Sequence, residues 1–88
     1  MNFEWNEEKN SVLRQQRGIC FEDIVVAIQE GKLISVEQPL NVKYRHQLFF
    51  IVNINDYVYV VPFVKRENDI LILKTIFPDR KRTKKYLP

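Results

Sequence analysis

Two glycines, one cysteine, one histidine and one methionine are all that 88 residues hold of these types. Each scarcity removes a class of function. Gly18 and Gly31 are too few and too far apart for a Gly-rich loop that cradles a nucleotide phosphate. Cys20 has no partner for an internal disulfide, which fits a reducing compartment. A lone thiol of this kind reads as a buried or helix-capping residue before it reads as a nucleophile. One Cys and one His make no zinc set without carboxylates at suitable spacing, and none is seen. No metal and no organic cofactor is expected. Long apolar runs are also missing. The longest, Tyr57 to Val64, is far short of the roughly 20 residues that span a bilayer. The first residues show neither the basic nor the apolar stretch of a signal peptide. The expectation is a cytoplasmic protein with no membrane partner, without internal repeats or low-complexity segments.

What is present is the composition of a folded domain. The chain is 45% hydrophobic and 28% charged, as in ordinary globular proteins, and its length predicts one domain over 1–88. Six Phe, four Tyr and one Trp supply the bulk that lets a short chain bury a core. Charge is distributed unevenly. Five of the six residues from Arg80 to Lys85 are cations, whereas the whole chain carries a net charge of only +3. The basicity is therefore local, and such a cluster attracts polyanions, nucleic acid first among them.

Punctuation and periodicity give the elements. Asn6 is a good N-cap before the acidic pair Glu7-Glu8, and Gly18 is a stop, so a first helix is expected over Glu7–Arg17. Phe21, Ile24, Val25 and Ile28 fall at i, i+3, i+4 and i+7, giving a second helix, Phe21–Glu30, with one apolar face. Asp23 follows Cys20 at capping-box spacing, and Gly31 closes the helix. Strands are expected at Leu33–Glu37, Gln47–Ile54, Tyr57–Lys65 and Ile70–Phe77, with a polar connection over Pro39–His46. Asn55-Asp56 turns a β-hairpin, and Arg66–Asp69 is a charged turn. Phe3–Trp5 reads either as a short edge strand or as an anchor. The expected architecture is α+β: two N-terminal helices packed on one face of a four-stranded antiparallel sheet, with room after Pro78 for a short C-terminal helix.

Two segments carry a family resemblance. Phe3-Glu4-Trp5-Asn6-Glu7-Glu8-Lys9-Asn10 resembles the F-x-W-[DN]-x-x-K-[NR] opening of BrnT-type toxins. Arg17-Gly18-Ile19-Cys20-Phe21-Glu22-Asp23 resembles their [HR]-G-[IV]-S-F-E-[ED] segment, with Cys20 where Ser is usual. The closing strand Ile72-Leu73-Lys74-Thr75-Ile76, followed by Arg80, is similar to their basic tail. Lys84-Lys85-Tyr86 stands where the family often has an acidic residue among arginines, and Tyr44-Arg45-His46 stands where it has Asp-Pro-Arg-His. The resemblance covers most of the chain. It implies a RelE-like fold, metal-independent ribonuclease activity, and as partners RNA, a cognate antitoxin and, for some such toxins, the ribosome.

Metal-free RNA cleavage needs a base for the 2′-hydroxyl proton, cations for the charged phosphorane and an acid for the leaving 5′-oxygen. Arg80, Lys74, His46 and Tyr86 are the candidate catalytic residues, and Arg45, Lys81, Arg82, Lys84 and Lys85 the candidate RNA-binding ones. Arg80 and Arg82 suit phosphate because a guanidinium meets two oxygens at once. Each of the others keeps a plainer alternative. Lys74 is a phosphate contact or a charge that protects a strand from aggregation. His46, whose imidazole can take or give a proton, is an acid–base group or a solvated loop side chain. Tyr86 stacks on a base or donates a proton, or it pins the C-terminus to the sheet. Trp5 packs on the core or stacks on a base. The tail is a solvated end, an RNA surface, or the surface an acidic antitoxin segment covers. Two functions follow: a toxin of a type II toxin–antitoxin system that cleaves RNA, or a non-catalytic RelE-like module that binds nucleic acid or a protein partner.

Overall fold

The computed structural model describes residues 1–40 and 46–88. In chain order the elements of the described residues are β1 (Asn2–Glu4), α1 (Glu7–Arg17), α2 (Phe21–Gln29), β2 (Leu33–Glu37), β3 (Leu48–Ile54), β4 (Tyr57–Lys65), a single 3-10 turn (Glu67–Asp69), β5 (Ile70–Leu73), β6 (Phe77–Pro78) and α3 (Arg80–Tyr86). The class is α+β, with a mostly antiparallel sheet.

Both helices of the N-terminal half start and stop where capping chemistry dictates. The Asn6 side chain accepts the Lys9 amide at 2.9 Å, and Gly18 closes α1 in the left-handed region at φ 66°, where a Cβ would be strained. At the start of α2, the Asp23 carboxylate accepts the Cys20 backbone N–H at 3.0 Å and its thiol at 3.2 Å. That is the Asp half of a capping box. The α1–α2 junction is tied by Asn10, which is fully buried. Its Oδ1 accepts the Phe21 N–H and its Nδ2 donates to Glu22, both at 2.7 Å.

The sheet corrects the expectation in three ways. It has six strands among the described residues rather than four, in the order β1-β5-β4-β3-β2 with β6 also on β4. One edge pair, β1 with β5, is parallel, with Asn2 opposite Ile70, so Phe3 belongs to a true edge strand. Finally, the expected strand Ile70–Phe77 is broken. β5 ends at Leu73 opposite Phe63, and β6 rejoins β4 only at Val60 opposite Phe77. Pro62 explains the break. Its carbonyl accepts the Lys74 N–H at 2.8 Å, but a proline has no N–H to return. Lys74 is therefore exposed in a link between strands, not inside one. Below the link, Arg17 donates to the Ile76 carbonyl and ties α1 to it.

The β3–β4 hairpin turns at Asn55-Asp56, both at positive φ (54° and 64°), as a two-residue primed turn requires. Strict alternation along β4 then sorts side chains between two cores. Val61 and Phe63 join Leu13, Phe21, Ile24, Phe50 and Leu73 under α1 and α2. Val58 and Val60 join Ile51 on the opposite face, where Phe49, Phe77, Tyr86 and Leu87 close over them. Among the described residues, helices thus cover both faces, with α3 on the second. Among the described residues no helix is long and apolar enough to cross a membrane.

Candidate nucleic-acid interface on the last helix

The sequence from Pro78 onward forces α3 into an amphipathic role despite its charge. Asp79 caps the helix, its carboxylate accepting the Arg82 N–H at 2.8 Å. The edge of β4 then takes hold of the first turn. The Val58 N–H donates to the Thr83 hydroxyl at 2.9 Å, and the Asp79 N–H donates to the Val58 carbonyl at 3.0 Å. Thr83 passes its own proton to the Asp79 carbonyl at 2.7 Å. Docked this way, the helix turns Arg82, Thr83, Tyr86 and Leu87 toward the sheet and Arg80, Lys81, Lys84 and Lys85 to solvent.

Arg82 sits at the centre of a polar network. Its Nε lies 3.2 and 3.3 Å from the two Glu37 carboxylate oxygens and its Nη2 donates to Oε1 at 2.8 Å. Nη1 donates to Asp79 at 2.6 Å. The Tyr86 hydroxyl donates to the second Glu37 oxygen at 2.7 Å. The guanidinium carbon stands 5.7 Å from the centre of the Phe49 ring, a cation–π contact. Register explains why these groups meet. Glu37 on β2 is opposite Phe49 on β3, so both point to the face that α3 covers.

The electrostatics follow from the contacts. Arg82's hydrogen bonds, with help from Tyr86, hold the Glu37 carboxyl below the usual carboxylate range. Burial pushes Asp79 up, but the Arg82 N–H and guanidinium outweigh it and hold Asp79 low. Arg82 in turn is raised, chiefly by Glu37. The three groups are a fixed ion cluster at neutral pH. Beside them Lys81 and Lys85 line a shallow cleft of about 270 Å³ with Glu37, Asp79 and Arg82. Lys85 also lies 5.0 Å above the Tyr86 ring. A second cleft of about 360 Å³, at the α1–α2 junction, mixes Arg17 and Lys32 with Asp23 and Glu30. Its balanced charge gives no preference for a polyanion.

The candidate residues therefore separate. Arg80, Lys81, Lys84 and Lys85 form one solvent-facing basic surface, and Arg82 and Tyr86 line its inner side. His46 is exposed in the turn before β3, and Lys74 is exposed in the β5–β6 link. Among the described residues no hydrogen bond or ion pair joins either to α3. Arg45 and its neighbour Tyr44 lie outside the described residues. Trp5 has a packing role: it stacks on Phe21 with ring centres 5.6 Å apart, and its Nε1 donates to Glu7 at 2.6 Å. Sequence reasoning missed Glu37, Asp79, Thr83 and Phe49. Asp79, three residues before Arg82 and just ahead of a cationic run, carried a cap signal. Glu37 carried none, because its partner lies 45 residues away. Among the described residues no cluster of His, Cys, Asp or Glu is arranged to hold a metal ion.

No family model matches the chain, and no curated protein matches its sequence.

Proposed function

We propose that this chain is an RNA-directed toxin of the RelE-like kind, the toxic partner of a type II toxin–antitoxin pair, and that α3 is its RNA-facing element. The observation that carries the reading is the division of cations on α3. Four are turned to solvent along one short helix, and Arg82 is fixed on a carboxylate frame at its edge. Four exposed cations in seven residues, about 10 Å of helix, suit a few adjacent phosphates. Arg80 is the outward guanidinium best placed to meet a phosphate, with Lys81, Lys84 and Lys85 as neighbouring charges. Tyr86 supplies a phenol beside them. The cleavage step rests on the resemblance to BrnT-type toxins in the segments around Trp5 and Gly18.

A second reading, a RelE-like module that binds nucleic acid or protein without cleaving, is favoured by one specific observation. The carboxylate at the cleft, Glu37, is bound by both Arg82 and Tyr86 and is held ionised below its usual range. Such a group is a poor general base. Inducing the chain alone in bacteria and following growth and RNA integrity separates the two. Growth arrest with fragmented RNA, relieved by Arg80→Ala, is the expected outcome. Normal growth with intact RNA removes the toxin. Arrest that survives both Arg80→Ala and His46→Ala keeps the function and moves the site elsewhere.

A further inference from the structure

A guanidinium offers five N–H groups in a planar fork. In Arg82 the side edge, Nε with Nη2, is spent on Glu37, and one N–H of Nη1 on Asp79. The N–H groups left are one on Nη1 and one on Nη2. Among the described residues no further acceptor engages either. The plane is also restrained from one face by Phe49 at 5.7 Å, and Glu37 itself is fixed by the Tyr86 hydroxyl at 2.7 Å. The same guanidinium lines the cleft shared with Lys81 and Lys85.

We propose that Glu37 is a positioning residue: with Asp79 it holds Arg82 so that its two uncommitted N–H groups, flanked by Lys81 and Lys85, take one phosphate group of a single RNA strand. A guanidinium in water must order itself around each phosphate it meets. One already held on two sides and one face loses less freedom on binding, and its remaining N–H groups give charge-assisted bonds to phosphate oxygens. The inference rests on the reading of α3 as RNA-facing.

The test exploits a conflict of sign. Glu37→Gln removes a negative charge from the cleft, so a purely electrostatic view expects tighter RNA binding. Positioning expects the reverse. Fluorescence anisotropy with a labelled single-stranded RNA, at several salt concentrations, reads both the affinity and its salt dependence. For Glu37→Gln we expect binding weaker by roughly tenfold or more, the scale of one hydrogen bond to a charged group. The slope of log affinity against log salt should be shallower by about 0.7, one phosphate contact to a single strand. Arg82→Lys, which keeps the charge but loses the fork, should weaken binding to a similar degree. Binding by Glu37→Gln that equals or exceeds wild type, with an unchanged or steeper slope, overturns the inference and leaves the reading of α3 standing. No binding by the wild-type chain overturns that reading and this inference with it. If Glu37→Gln is unfolded at the assay temperature, Tyr86→Phe decides instead. It keeps the ring and removes the hydrogen bond that fixes Glu37, and a shallower salt slope tells this apart from loss of an uncharged phenol contact to RNA. Binding weakened by about twofold supports positioning, and unchanged binding overturns it.

Discussion

Asn10 serves two partners with one amide. Its oxygen satisfies the first free N–H of α2 and its nitrogen reaches Glu22, which that donation holds below the usual carboxylate range. Asn10→Ala should lower stability by about 2 kcal/mol, because a buried N–H loses its acceptor; urea denaturation reads the change. The neighbouring residues have similarly local duties. Trp5 lies flat on Phe21, Gly18 supplies a left-handed cap, and Arg17 clamps the Ile76 carbonyl. These are the residues on which the family resemblance rests, and each has a folding role. They made the N-terminal half legible in the sequence, and they are silent about chemistry. Glu37 and Asp79 give a further residue-scale prediction. Both have folded pKa values below their unfolded ones, so the stability they contribute is present above about pH 4.3 and is lost as pH falls through the folded values. Thermal melting should weaken with acid over that range, and less so in Glu37→Gln.

At the scale of elements, α1, α2 and the β3–β4 hairpin were readable because their signals are contiguous: a cap, a period, a stop, a two-residue turn. The β5–β6 break was not. Lys74-Thr75-Ile76 reads as more strand, and the cause of the break is Pro62, on a neighbouring strand. The inward face of α3 was hidden for a related reason. Arg82, Thr83, Tyr86 and Leu87 sit at helical spacing, but cations dominate the composition around them. What docks the helix is Thr83, which satisfies the Val58 N–H on the β4 edge. Thr83→Val keeps the shape and removes the acceptor, so it should cost about 1–2 kcal/mol. Hydrogen exchange at Val58 should quicken while exchange in α2 does not change.

For the whole molecule, two cores lie back to back on one sheet, and they are closed by different means. The larger is covered by α1 and α2, the smaller by the single basic helix. Removing residues 80–88 should bare Ile51, Val58 and Val60 and produce strong binding of an apolar dye such as ANS, with the helical half still folded by circular dichroism. The strand pairing β1 with β5 joins Asn2 to Ile70, 68 residues apart in a chain of 88. No pattern in the sequence announces such a pairing, which is why Phe3–Trp5 read equally well as an anchor. It also sets an order of events in time. Closing so long a loop before other contacts exist is entropically unfavourable, so β1 should join the sheet after the rate-limiting step. Phe3→Ala should then leave the refolding rate nearly unchanged and speed unfolding. The strand that precedes every other described element along the chain would be among the last to find its place, and the first to leave it.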